Sequence, residues 1–258
     1  MGRLLVALDL DGTLLAPDGA VSDRVQAGVR AVYDAGHAVV LATGRSLHGT
    51  APTARLLGLD NEVVVCSNGA VTARADGSEL FEVVTFDARP AVTLLQAELP
   101  RVVFAVEEVG KGYFTTGPFP AGELDGHLGV VPLDELVAEP VTRVVVRDVE
   151  GDAEDFLDVV DRVGLHGVSY AVGYTAWLDL MPLGVSKASA LEHVRERLGI
   201  VEDDTVALGD GRNDLEMLTW AARGVAMGHA PDVVKVVADE VTASFEEDGA
   251  ALVLESLL

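Results

Sequence analysis

Leu4-Leu5-Val6-Ala7-Leu8-Asp9-Leu10-Asp11-Gly12-Thr13-Leu14 decides how this chain is read. Five apolar residues run without a break and stop at an aspartate. Such a run predicts a strand buried on both faces, the kind found inside a parallel sheet. The pattern recurs. His37 to Ala42 is a second buried strand and ends at Thr43-Gly44-Arg45. Glu62 to Cys66 is a third and ends at Ser67-Asn68-Gly69. Between the first two, Ser22 can cap a helix running to Ala35 that Gly36 closes. A weaker helix, expected to be interrupted near Pro52, separates the second and third. Strand, helix, strand, helix, strand is the rhythm of an α/β, doubly wound parallel-sheet core of Rossmann-like type.

After Gly69 the rhythm changes. Val71 to Arg74 and Leu80 to Phe86 flank Asp76-Gly77, a hairpin signal. A helix (Pro90 to Leu99) and a strand pair around Gly110-Lys111-Gly112 follow. Strand Thr142 to Arg147, helix Ala153 to Val163, and strands Val168 to Val172 and Ala176 to Met181 complete the segment. Hairpins interleaved with helices predict an α+β unit. From Ser186 the first rhythm returns: a helix to Leu198, a strand Thr205 to Leu208 ending at Gly209-Asp210, a helix Asn213 to Ala221, a strand Gly224 to Met227, and a helix after Pro231. We therefore expect a core made of residues 1–82 and 183–258, with 83–182 inserted as an α+β cap.

Composition narrows the function. The 258 residues are 49% hydrophobic, which predicts a folded chain, and carry a formal net charge of −24. So acidic a protein repels nucleic acid and anionic membrane at long range, so neither is expected as a partner. It would also repel a phosphorylated substrate, so binding one requires a local positive centre. Cys66 is the only cysteine, which rules out an intrachain disulfide and fits a reducing cytoplasm. It closes an apolar run and reads as a small buried residue. The N-terminus turns acidic at Asp9, before a signal region could form, and no apolar run approaches membrane-spanning length.

Ligands of parallel sheets bind beyond the carboxyl ends of the strands. Three strand ends here carry polar groups that suit a single chemistry. They are Asp9 to Leu14, Thr43-Gly44-Arg45, and Gly209 to Asp214. Lys187, at a helix start, joins them. Mg²⁺ prefers hard oxygen ligands, which Asp9, Asp210 and a backbone carbonyl of the first loop could supply. Carboxylates crowded together repel each other without a cation. A carboxylate can act as nucleophile toward phosphorus. A second carboxyl two residues on, Asp11, can protonate the leaving oxygen and later deprotonate water. Gly12 lets the backbone turn back over a phosphate. Lys187 also stands out by composition. Of 18 basic residues only 3 are lysines, so where charge alone is needed this chain uses arginine. A lysine at a helix start, where the dipole disfavours a cation, asks for a reason.

Asp9-Leu10-Asp11-Gly12-Thr13, Thr43-Gly44-Arg45, Lys187 and Gly209-Asp210 with Asn213-Asp214 resemble, in order and spacing, the four motifs of the haloacid-dehalogenase-like phosphatases. Ser67-Asn68-Gly69-Ala70, the insertion after the second motif, and Ala226-Met227-Gly228 resemble the Cof-type branch. The resemblance implies roles. Asp9 is nucleophile and metal ligand; Asp11 is acid/base and lends its carbonyl to the metal. Thr43, Gly44 and Asn213 contact phosphate. Lys187 clamps phosphate and nucleophile. Asp210 is a direct ligand, and Asp214 belongs to the metal shell or positions the lysine. His229 departs from the family, which usually has Asn there; it either tunes substrate choice or is a solvated loop histidine.

The resulting expectation is a Mg²⁺-dependent phosphatase for a small phosphorylated metabolite, as monomer or small homo-oligomer. A phosphosugar mutase and a non-catalytic phosphate-binding protein are the alternatives. A nucleotide-dependent oxidoreductase would need a Gly-rich first loop, and this loop is Asp-rich. In the insertion, Trp177 and Tyr174 read as packing. By alternation Trp177, Asp179 and Met181 share one strand face, and that face is expected to look into the cleft and set substrate choice.

Overall fold

The computed structural model describes residues 2–172 and 175–258. Tyr174 lies outside the described residues. Two sheets organise the chain. The larger contains β1 (Leu5–Leu8), β2 (Ala38–Ala42), β3 (Val63–Cys66), β4 (Val71–Arg74) and β5 (Leu80–Val83). The smaller takes β6 (Val103–Glu108), β7 (Gly112–Thr115), β8 (His127–Val130), β9 (Val144–Arg147), β10 (Val168–Val172) and β11 (Trp177–Pro182). The chain then returns to the larger sheet with β12 (Thr205–Gly209), β13 (Arg223–Ala226) and β14 (Glu240–Val241).

The order of the larger sheet is β14-β13-β12-β1-β2-β3-β4-β5. The strands from β14 to β3 are parallel, and the hairpin β4–β5 closes one edge antiparallel. It is a doubly wound α/β sheet. The β1 run is buried on both faces, as its unbroken apolarity requires. Val6 and Leu8 face the helices Asp23–Asp34 and Gly249–Glu255. Leu5 and Ala7 face the helices Lys187–Leu198 and Leu215–Trp220.

The chain moves outward from β1 in one direction through β2 and β3, and in the other through β12 to β14. The reversal between β1 and β12 opens a crevice at their carboxyl ends. Leu8 pairs with Leu208, and Asp9 N–H donates to the Leu208 carbonyl at 3.0 Å. Asp9 and Asp210 therefore leave the sheet side by side.

The smaller sheet runs β10-β11-β9-β6-β7-β8, antiparallel except between β7 and β8. Phe104, Val144, Val146, Leu178 and Leu180 on one face pack under the helices Arg89–Glu98 and Ala153–Val163. Arg143, Arg147, Glu107 and Asp179 are also buried, though charged.

Several local expectations need correction. The helix Leu47–Leu56 is continuous through Pro52. The hydrogen bond that proline removes would have gone to the carbonyl of His48, an exposed residue. The turn Arg212–Asp214 is 3₁₀, and the α-helix begins only at Leu215. Strands β8 and β14 and the helix Gly249–Glu255 were not legible. The first is a short, mostly exposed edge strand, and the second has two residues.

Candidate active site

Each strand-end loop delivers its polar groups to one place. Lys187 is the first residue of a helix capped reciprocally by Ser186 and Ser189, so its position is fixed by the cap. Its side chain runs back into the core, fully buried, and donates to Asp9 Oδ1 and Asp214 Oδ1, each at 2.6 Å. Asp214 Oδ2 accepts the backbone N–H groups of Asp210 and Gly211 at 3.0 and 2.8 Å. The second carboxylate of that loop thus shapes the loop and anchors the lysine. Thr13 donates its hydroxyl to Asp210 Oδ1 at 3.3 Å, tying the first loop to the last. Gly12 lies against the Asp210 carboxylate with no room for a side chain.

Oxygens of Asp9, Asp210 and Asp214 lie within 4.8 Å of one another. Burial raises the Asp9 carboxyl well above the ordinary carboxylate range; Asp214 repels it further, and Lys187 only partly offsets this. Burial and Asp214 push Asp210 up to about 6. Burial alone would lower the Lys187 ammonium, but Asp214 and Asp9 outweigh it and hold it above its ordinary value. Three carboxylates crowd around one ammonium, so acidic oxygen donors predominate in this group. That donor set, hard and oxygen-only, suits a divalent cation such as Mg²⁺.

Above these groups opens a cavity of about 700 Å³. Asp9, Asp11, Gly44, Asp210 and Asn213 line it, together with Asn68, Tyr113, Arg143, Trp177 and Asp179. A smaller cavity of about 210 Å³ lies behind the first loop and is lined by none of Asp9, Asp11 and Asp210. Three arginines, Arg45, Arg143 and Arg212, supply positive charge along the larger cavity of this very acidic chain. Asp11, its side chain 57% exposed, is gripped at both oxygens by Arg45, at 2.8 and 2.5 Å.

The sequence-predicted residues thus fall into one locus at different depths. Asp9, Asp11, Gly44, Asp210 and Asn213 reach the cavity wall. Lys187 and Asp214 lie beneath it. Thr43 is fully buried, and its hydroxyl accepts the Arg45 N–H at 3.1 Å. His229 is an exposed turn residue, but not one left to solvent alone: it stands 3.7 Å from Asp210 and edge-on to Phe245, centroids 5.1 Å apart. Trp177 packs edge-on against Phe119 and also lines the cavity, so packing describes only half of it.

Sequence reasoning missed the contacts that cross between the two sheets. Arg143 donates to Asp179 Oδ1 at 2.8 Å and to the Gly44 carbonyl at 2.6 Å. Asn68 donates to Asp179 Oδ2 at 3.3 Å and accepts from Asn213 at 3.0 Å. Ser67 donates to Glu107, whose carboxyl burial raises. A lone arginine opening the apolar run Val144-Val145-Val146 was the one available signal.

Comparison with known proteins places this geometry. A family model of haloacid dehalogenase-like hydrolases matches residues 6–254, and the chain belongs to that family, as a phosphatase of its Cof-type branch. It is 29% identical over 259 residues to a 5-amino-6-(5-phospho-D-ribitylamino)uracil phosphatase of Bacillus subtilis (strain 168), covering 97% of this chain and 96% of that one. It is 30% identical over 244 residues to a phosphoglycolate phosphatase of Natronomonas pharaonis, covering 95% and 93%. Among solved structures, a phosphatase from Bacteroides thetaiotaomicron superposes with a TM-score of 0.81 at 27% identity, over 98% of this chain and 94% of that one. No described helix is long and apolar enough to cross a membrane.

Proposed function

We propose that this phosphatase is a Mg²⁺-dependent phosphomonoesterase for a small phosphorylated metabolite, working through an aspartyl-phosphate on Asp9. The observation that carries the reading is Lys187 held between Asp9 and Asp214 below a cavity into which Asp9, Asp11 and Asp210 open. Asp9, Asp210 and the Asp11 carbonyl would hold Mg²⁺, with Asp214 close by. When bound, the cation would neutralise charge on the transferring phosphoryl oxygens.

An Asp9 oxygen attacks phosphorus while the bond to the ester oxygen breaks. Asp11 gives its proton to that leaving oxygen. Water then attacks the phosphorus of the aspartyl-phosphate, Asp11 takes the water's proton, and the bond to Asp9 breaks. Lys187 favours the ionised form of Asp9, partly offsetting burial, and offsets charge as it develops. Thr43, Gly44, Gly12 and Asn213 cradle the phosphate. Asp11 can turn from Arg45 toward substrate because its side chain is largely exposed.

Residues 83–182 act as the cap that covers this site. The relatives named above support a substrate with one phosphoryl group on a small organic body. The cavity, about 700 Å³, accommodates a leaving group larger than a two-carbon acid. Purified wild type and Asp9→Asn should be assayed against a panel of phosphomonoesters with and without Mg²⁺. Wild type should turn several over and Asp9→Asn none. Wild-type kcat in Asp9→Asn would remove the covalent step.

A further inference from the structure

A buried ion pair is a costly way to stabilise a sheet, since apolar residues of similar volume often serve as well or better. Arg143 and Asp179 nevertheless form one, with side chains 5% and 9% exposed. Arg143 lies just before β9 and Asp179 on β11, and besides their contacts within the smaller sheet, such as Arg143 to the Tyr113 hydroxyl, each reaches a loop of the larger one. Arg143 grips the carbonyl of Gly44. That carbonyl and the N–H of Arg45 belong to one rigid, planar peptide unit, so fixing the first fixes where the second points. It points at the Thr43 hydroxyl. Asp179 reaches the opposite loop through Asn68 to Asn213. Ser67 and Asn68 both hold left-handed backbone, φ +51° and +54°, a conformation that side-chain-bearing residues keep only when their surroundings enforce it.

From this connectivity we propose that Arg143, oriented by Asp179, is a positioning residue of the phosphate site. From the inserted unit it sets the Gly44–Arg45 peptide and, through it, the Thr43 hydroxyl, while Asp179 steadies the Asn68–Asn213 contact. The inserted unit then does more than select the leaving group: without its two charged residues the phosphate cradle is misassembled even for the smallest substrate. The inference rests on the reading of Thr43, Gly44 and Asn213 as phosphate contacts.

The test pairs Arg143→Met with Asp179→Leu in the full chain, so that no buried charge is left alone. Three readouts are needed: the thermal midpoint, the Ki of inorganic phosphate, and kcat on p-nitrophenyl phosphate and on a bulky sugar phosphate, all with Mg²⁺. We expect a midpoint near wild type. The Ki for phosphate should rise, and kcat fall on both substrates, by about tenfold or more, since a misplacement near 1 Å costs roughly 10²-fold. Arg143→Lys keeps the charge beside Asp179 but lacks the planar fork that serves two acceptors at once. It should fold and show the same rise in Ki, and it decides the question if the double variant does not fold. Unchanged phosphate Ki and unchanged p-nitrophenyl phosphate turnover in the folded variant, with only substrate ranking altered, would overturn the inference. A wild type that neither hydrolyses phosphomonoesters nor binds phosphate would instead reject the proposed function.

Discussion

Lys187 Nζ donates to Asp9 Oδ1 at 2.6 Å with the ammonium fully buried, so the ammonium cannot exchange its partners for water. Removing the lysine leaves Asp9 and Asp214 as buried carboxylates facing each other. Breaking a buried pair in this way costs about 3–5 kcal/mol. Lys187→Met should therefore lower the thermal midpoint and abolish most of kcat/KM. Lys111 makes only an exposed contact with Glu108, a class worth about 0–1 kcal/mol, and Lys235 lies far along the chain in a one-turn helix. Lys111→Ala and Lys235→Ala should leave both quantities near wild type. Equal losses from all three substitutions would take Lys187 out of the site.

The crowding of Asp9, Asp210 and Asp214 makes a prediction about metal that does not depend on turnover. A cation that binds only the folded state adds stability, about 2.7 kcal/mol at a hundred times its Kd. Mg²⁺ should raise the thermal midpoint of the EDTA-treated protein, and Asp210→Asn should weaken that response. Chelation should also abolish phosphatase activity, and Mg²⁺ restore it. Full turnover in excess EDTA would refute the metal requirement.

The polar strand ends were legible because the sequence changes character abruptly there. Leu4 to Leu8 needs both faces buried, and such a run can end in Asp9 only where the chain leaves the sheet. The same holds for Thr205 to Leu208 before Gly209-Asp210. Lys187 was legible from its rarity and its place at a helix start. Arg143 was not, because its meaning lies in partners 36 and 99 residues away, and no local period encodes them. Asp179 was placed on the cleft-facing side of β11 by alternation and because the opposite face is wholly apolar, and it does line the cavity. Its ion pair and its tie to Asn68 were invisible, and they are what add the proposed positioning role to the expected one in substrate choice. Strand β8 was missed for a different reason. Gly129 interrupts it, and three of its four residues are exposed, so it shows neither alternation nor an apolar run.

Cys66 offers a probe of the core that is independent of catalysis. It is wholly buried at the end of β3, near the Thr50 hydroxyl, and burial pushes its thiol up to about 12. The thiolate is the reactive form. Because the folded pKa is raised, the native protein should present almost no thiolate at pH 8. Labelling by a disulfide reagent should be slow in buffer and complete in denaturant, at a rate set by opening of the fold. Rapid native labelling would show that the sheet opens locally around β3.

Gly12 and Gly19 share a left-handed backbone, φ +85° and +81°, yet differ in what surrounds them. A side chain at Gly12 would collide with the Asp210 carboxylate, whereas nothing lies within 4 Å of the same position at Gly19. Alanine at either site meets the conformational penalty of left-handed backbone, about 1–2 kcal/mol. Gly19→Ala should show that penalty as a modest drop in thermal midpoint with kcat unchanged. Gly12→Ala should show a larger drop and lose activity as well, because the new methyl group must displace Asp210 from its place beside Asp9 and Thr13. The loss should extend to Mg²⁺: the concentration needed for half-maximal activity should rise in Gly12→Ala and stay put in Gly19→Ala. Parallel behaviour of the two variants in both stability and Mg²⁺ response would mean that Gly12 serves only the turn, and that Asp210 is not held where the reaction needs it.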